Sequence, residues 1–130
     1  MSTTLPGVAR AWIDGHEFAT IATIEPDGRP QLSVVWVARD GDDLLVSTVK
    51  GRRKHANLVR DPRATVLIYP ADEPYSYVEV RGRVTLTDDG GAELIQTLSR
   101  KYTGQPYEAD APGTERVVVR IRPERVVTRA

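Results

Sequence analysis

The sequence contains no cysteine, which excludes disulfides, thiolate metal sites and cysteine nucleophiles. Its only histidines are His16 and His55, which lie far apart in the chain and have no metal-ligating residue at a useful spacing beside them. Neither histidine lies in a context that predicts a serine–histidine–aspartate triad. The sequence therefore indicates neither a metal site nor a protein nucleophile.

The chain also has no net charge, because 18 basic side chains balance 18 acidic ones. No overall field attracts nucleic acid or an anionic membrane, so an anion site would have to come from a local cluster of cations. No apolar stretch approaches the roughly 18 residues of a membrane span, and the first residues do not resemble a signal peptide. We expect a cytoplasmic protein, without nucleic acid or membrane as a partner, folded as one domain over residues 1–130.

Strand patterns fill most of the chain. Apolar runs, either continuous or alternating with polar residues, are separated by turn residues and predict strands. The predicted strands are Phe18–Glu25, Gln31–Arg39, Leu44–Val49, Arg63–Tyr69, Tyr75–Thr87 and a last strand from Arg116 that Pro123 breaks. The first three are expected to form an antiparallel meander.

Three short helices are predicted from apolar residues at helical spacing. The first spans Leu5–Gly15, and the second lies within residues 50–61. The second ends at Asp61, because the residue before a proline is pushed out of the helical region. Asp88 and Asp89 are expected to cap the third. Six or seven strands with two or three short helices indicate a small antiparallel barrel.

The longest predicted strand, Tyr75–Thr87, alternates cleanly between apolar and polar residues. Gly82 interrupts its apolar side and predicts a bulge or a tight bend. Its polar face carries Tyr77, Glu79, Arg81 and Arg83. The charged residues form either a solvated ladder of weak ion pairs or a contact to an acidic cofactor tail or substrate.

The densest functional signal lies between Ser47 and Arg63. Two hydroxyl residues, Ser47 and Thr48, end a strand, and four cations follow around the start of the predicted helix. These cations are Lys50, Arg52, Arg53 and Lys54. A helix N-terminus offers unpaired N–H groups and a partial positive charge, so the cluster predicts a phosphate site. The alternative is a solvated basic patch on a surface helix.

The order of these features resembles the pyridoxamine 5'-phosphate oxidase-like split β-barrel superfamily. The resemblance rests on ATIATIEPDGRPQLSVVWV, STVKGRRKHANLVRDPRATVLI and YSYVEVRGRVTL. It runs from about Phe18 to Leu86, and more loosely to the C-terminus. The chain is most similar to short actinobacterial members that bind the deazaflavin coenzyme F420. The resemblance implies a mainly β, FMN-binding split barrel with short helices, and a homodimer with the cofactor groove at the subunit interface.

The resemblance also implies which residues bind the cofactor. The phosphate-gripping positions and their neighbours are Ser47, Thr48, Val49, Lys50, Arg52, Arg53 and Lys54. Beside the ring system lie Gln31, Ser33 and Val34, and Tyr77 and Glu79 line the groove from the other subunit. Asn57 is expected to fix the helix rather than touch the ligand, and Trp36 is expected in the core or at the dimer interface.

The implied activity is hydride transfer from reduced F420 to an electron-poor carbon of a small organic substrate. The cofactor carries this step, so the protein needs no nucleophile of its own. The product's proton comes from Tyr77 or from water. The sequence lacks the C-terminal Arg/His-bearing segment with which true pyridoxamine-phosphate oxidases grip their substrate, so pyridoxal chemistry is not expected. Two alternatives remain: an FMN-dependent oxidoreductase on the same barrel, and a non-enzymatic F420 or flavin carrier or sensor.

Overall fold

A computed structural model describes residues 3–129 of the chain. Within them the strands are β1 Ala19–Ile24, β2 Pro30–Val35, β3 Ala38–Asp40, β4 Asp43–Val49, β5 Arg63–Ile68, β6 Tyr77–Thr87 and β7 Arg116–Arg129. The helices are α1 Gly7–Asp14, α2 Arg53–Arg60 and α3 Gly91–Thr103. The predicted mainly β class is confirmed. No helix in this part of the chain is long and apolar enough to cross a membrane.

The strands form one antiparallel sheet in the order β2-β1-β5-β6-β7-β4-β3. Its two edge strands, β2 and β3, are consecutive in the chain and are joined by Trp36 and Val37 alone. The two edges of the sheet must therefore lie close together, which closes the sheet into a barrel. This closure is the split barrel that the resemblance implies.

The prediction of one strand over Gln31–Arg39 is wrong, because the chain turns a corner at Trp36 and Val37. The first half of the segment pairs with β1 and the second half pairs with β4. The backbone of Val37 leaves the ladder and finds other partners, as buried backbone groups require. Its N–H donates to the Tyr102 hydroxyl at 3.2 Å, and its carbonyl accepts from Lys101 Nζ at 2.6 Å.

The core fills the inside of the barrel. Inward-facing residues from every long strand are fully buried, and α1 and α2 close the core with Ile13 and Leu58. On β6 the predicted alternation is confirmed, since Val78 and Val80 are buried while Arg81 is exposed. The inner face is mostly apolar, with Thr23 and Thr48 as buried polar exceptions, so the charged side chains lie on the outer face and at the ends of the barrel.

Strands β6 and β7 meet at the bulge that Gly82 predicts. The register shifts there, with Gly82 opposite Pro123 and Arg81 opposite Arg125, so Glu124 is the extra residue. A Cβ on Gly82 would lie 2.5 Å from the Arg122 carbonyl oxygen, which explains the glycine. The predicted break at Pro123 is wrong: β7 continues to Arg129, because the bulge accommodates a residue without an N–H.

Helix α3 begins at Gly91, one or two residues later than capping by Asp88 or Asp89 would place its start. Gly90 is its N-cap, at φ 81°, and no side chain caps the helix, so the predicted capping by Asp88 and Asp89 is wrong. A Cβ on the next residue, Gly91, would lie 2.1 Å from the Arg116 carbonyl oxygen. The two glycines thus let the helix begin directly against the start of β7.

Candidate functional site

A cavity of about 380 Å³ opens where the corner between β2 and β3 meets β4, the start of α2 and α3. Its lining is aromatic on one side and basic on the other. The aromatic residues are Phe18, Trp36 and Tyr107, and the basic residues are Arg52, Lys54 and Arg116. Val34 and Ser47 also line the cavity, as do Ile95 and Leu98 of α3.

The aromatic side is a layered stack. Tyr102 lies between Phe18, with ring centroids 5.3 Å apart, and Trp36, at 5.5 Å and almost parallel. Tyr107 meets Trp36 edge-on at 6.2 Å. The Tyr102 hydroxyl donates to the Glu17 carbonyl at 2.7 Å, and burial raises the pKa of this phenol. The stack is a rigid apolar surface of the kind on which flat ring systems pack.

The basic side is built where β4 gives way to α2. Ser47 lies on the outer face of β4, Gly51 turns the chain at φ 91°, and Arg52 is the N-cap of α2. Lys54 follows within the first turn, and its pKa is lowered by burial and by the neighbouring Arg52 charge. The predicted helix start beside the cation cluster is thus present. A hydroxyl and two cations face one cavity, which is a suitable donor set for a phosphate.

The other residues of the predicted phosphate cluster point elsewhere. Arg53 pairs with Glu25, and its Nη1 lies 2.9 and 3.1 Å from the two carboxylate oxygens. Lys50 lies 3.7 Å from Glu115. Thr48 is buried on the inner face of β4, and the half-buried Val49 does not line the cavity. Of the seven residues predicted here, the structure brings Ser47, Arg52 and Lys54 together.

The predicted residues of β2 are divided between its two faces. Val34 is on the outer face, 70% exposed, and lines the cavity. Gln31 and Ser33 are on the inner face. The side-chain Oε1 of Gln31 accepts a hydrogen bond from Thr23 Oγ1 at 3.0 Å, whereas the buried Ser33 Oγ has no hydrogen-bond partner among residues 3–129.

Tyr77 and Glu79 do not line the cavity of their own chain. Both lie half-buried on the outer face of β6, and Glu79 accepts from Arg81 Nε at 3.1 Å. Their predicted contribution from a second subunit stays a prediction.

Asn57 holds α2 in place, as the resemblance implies. Its side-chain amide is buried and donates to Thr23 Oγ1 at 3.1 Å and to Glu25 Oε2 at 3.0 Å. At the end of the helix, Arg60 donates to the Ile24 carbonyl oxygen. These contacts tie α2 to the end of β1 and so fix where its N-terminus, with Arg52, meets the cavity.

Sequence reasoning missed Arg116, Tyr107 and the role of Trp36. Arg116 donates to both carboxylate oxygens of Asp110 at 2.8 Å, and these bonds lower the pKa of Asp110. Its guanidinium also lies 5.0 Å from the centre of the Tyr107 ring. Trp36, expected in the core or at an interface, is half-buried and packs against the buried cluster of Leu94, Leu98 and Val118, and it also lines the cavity. No local pattern marks these residues, because a loop and the barrel corner bring them together.

Within the described residues, no group of three or more His, Asp and Glu side chains is placed to hold a metal ion.

The chain is similar to known proteins in both sequence and structure. The sequence model of the pyridoxamine 5'-phosphate oxidase family matches residues 5–130. A solved structure named F420 reductase is 29% identical, with a TM-score of 0.84 and coverage of 95% of this chain and 98% of that one. A conserved hypothetical protein from Mycobacterium tuberculosis is 26% identical, with a TM-score of 0.76 and coverage of 98% and 85%. A Listeria innocua protein named for pyridoxamine 5'-phosphate oxidase, 23% identical, shares the fold, with a TM-score of 0.71 and coverage of 91% and 92%.

Proposed function

The chain belongs to the pyridoxamine 5'-phosphate oxidase family, and from that premise we propose that it is an F420-dependent oxidoreductase. In this proposal it transfers a hydride from the reduced deazaflavin to an electron-poor organic substrate. The observation that carries the proposal is the cavity, which is lined by a hydroxyl and cations on one side and by the aromatic stack on the other. The likeness to the F420 reductase along nearly the whole chain supports the choice of cofactor.

The residues of the cavity fit such a cofactor. Ser47, Arg52 and Lys54 would hold its phosphate, while Val34 and Trp36 would lie against its ring system. When bound in the reduced form, a deazaflavin supplies the hydride. The protein's own part is to position the ring and to exclude water with the apolar surfaces of the stack and of α3. Tyr77 of a second subunit is the proposed proton donor, in competition with water.

We propose that the chain acts as a homodimer. The outer face of β2 exposes two large apolar side chains, Leu32 at 62% and Val34 at 70%. Exposed apolar residues beside a cavity are typical of an interface. A second copy over this face would complete the site with Tyr77 and Glu79 from its own β6. Sizing at micromolar concentration should give twice the mass of the chain, and Leu32→Glu should give the mass of one chain. A wild-type protein that elutes as a monomer contradicts the dimer.

The two tryptophans allow the cofactor to be identified directly. Trp36 lines the cavity, whereas Trp12 lies on α1 and packs against the core. Titration of the purified protein with F420 should quench the fluorescence, and Trp36→Phe should abolish the quenching while Trp12→Phe retains it. Tighter binding of FMN, or a yellow protein as purified, would assign the FMN alternative instead.

Turnover separates an enzyme from a carrier. With a panel of enones and quinones, the protein should accelerate the oxidation of reduced F420 in the presence of at least one acceptor. Tight F420 binding without substrate-dependent oxidation across the panel would identify a carrier.

Matched cations test the phosphate site. Arg52→Ala and Lys54→Ala should each weaken F420 binding about tenfold or more, since a charged hydrogen bond contributes about 1.5–3 kcal/mol. Lys50→Ala and Arg53→Ala remove equal charge from the same segment but should change affinity less than about threefold, because both cations pair with glutamates. Equal losses in all four folded variants would indicate a diffuse charge effect and contradict the site.

A further inference from the structure

The guanidinium of Arg116 lies at the junction of two cavities. It lines the cavity described above and a smaller one of about 190 Å³, which lies between α3 and the loop before β7. Only 7% of its side chain is exposed, and two bonds to Asp110 fix its orientation. A buried arginine held in this way is an oriented donor rather than a mobile surface charge.

Arg116 also donates a hydrogen bond to Ser47. The distance from Arg116 Nη1 to Ser47 Oγ is 3.3 Å. A guanidinium donates hydrogen bonds and accepts none, so the serine oxygen must be the acceptor in this pair. A hydroxyl has one proton, and Ser47 Oγ takes part in no other side-chain hydrogen bond within residues 3–129. The proton of Ser47 is therefore uncommitted, on a residue that lines the cavity.

We propose that Arg116, held by Asp110, is a positioning residue that makes Ser47 a hydrogen-bond donor to the ligand's phosphate. This inference rests on the proposed function, and it adds the Asp110–Arg116–Ser47 chain to the phosphate site. The bond from Arg116 occupies one lone pair of Ser47 Oγ, and the hydroxyl proton cannot point at the guanidinium. This proton is directed into the cavity, toward the side on which Arg52 and Lys54 lie.

Asp110 sets the charge of this arrangement. It neutralises Arg116, so the cations left for an incoming anion are those of Arg52 and Lys54. It also anchors the loop before β7, which Gln96 holds at a second point through two hydrogen bonds to the backbone of Tyr107, at 2.9 and 3.0 Å. The wall of the cavity and the orientation of Ser47 thus depend on the same ion pair.

The test compares ligands with and without the phosphate. Coenzyme F420 and its deazariboflavin differ by the phosphate and the tail together, whereas FMN and riboflavin, the second pair, differ by the phosphate alone. Ser47→Ala and Arg116→Gln should each weaken binding of the phosphate-bearing ligand about tenfold or more, and change binding of the phosphate-free ligand less than about twofold. Because the residues act in series, the double variant should lose no more than the larger single loss. Ser47→Thr, which retains the hydroxyl, should bind like the wild type.

Asp110→Asn keeps the shape of the anchoring side chain and provides a second test if Arg116→Gln does not fold. It should selectively weaken binding of the phosphate-bearing ligand, and by less than Arg116→Gln does. Independent losses at Ser47 and Arg116, or equal losses for both members of a ligand pair, would overturn the positioning role and leave the proposed function standing. Failure of the wild type to bind either F420 or FMN would overturn the proposed function and this inference with it.

Discussion

Removing the side-chain amide of Asn57 tests how α2 is held against the barrel. Asn57 is 2% exposed and donates to a neutral hydroxyl on Thr23 and to the carboxylate of Glu25. The first bond contributes about 1 kcal/mol and the second about 2 kcal/mol. Thr23 keeps its bond to Gln31 and Glu25 keeps its pair with Arg53, so neither is left without a partner. Asn57→Ala should therefore lower the free energy of unfolding by about 3 kcal/mol.

Urea unfolding, followed by far-UV circular dichroism at fixed protein concentration, measures this loss. With a urea dependence of about 1.5 kcal/mol per molar, the midpoint should fall by roughly 2 M. Val59→Ala is the matched control, since Val59 lies on the same helix and is 65% exposed. Its midpoint should move by less than about 0.4 M. A shift in Asn57→Ala as small as in this control would refute the anchoring role.

Three further predictions concern Lys54 and Gly82. Lys54→Met should raise the melting temperature and weaken F420 binding, because burial and Arg52 disfavour the charged amine in the folded chain, as its lowered pKa shows. The affinity of the wild type for F420 should fall as alkaline pH deprotonates Lys54. Because the pKa of Lys54 is lowered, this fall should begin below the pH at which an ordinary lysine titrates, and it should be absent in Lys54→Met. Gly82→Ala should lower the melting temperature because its Cβ would lie 2.5 Å from the Arg122 carbonyl oxygen, whereas Gly7→Ala, with open space around it, should not.

Features that depend on neighbouring residues were predictable from the sequence. The alternation of β6, the bulge at Gly82 and the end of α2 before Pro62 follow from side-chain period and backbone restrictions. The hydroxyl and cations at the start of α2 were predictable for the same reason, because Ser47 and Arg52 are close in sequence and only the turn at Gly51 separates the strand from the helix.

Features that depend on distant residues were not predictable. The strand over Gln31–Arg39 divides because Lys101 and Tyr102 bind the Val37 backbone from α3, and no signal near Val37 announces them. Similarly, the sequence does not show that Arg53 turns away to Glu25 while its neighbour Lys54 faces the cavity. In both cases the path of the backbone or the direction of a side chain depends on tertiary contacts, which the neighbouring residues in the sequence do not reveal.

A crystal structure of the protein grown with F420 would show directly whether this cavity binds the cofactor. The cofactor's phosphate should lie within hydrogen-bond distance of Ser47 Oγ, Arg52 and Lys54, and its ring system should lie against Trp36. Density for the cofactor away from this cavity, or an empty cavity after growth at a concentration that saturates binding in solution, would contradict this prediction.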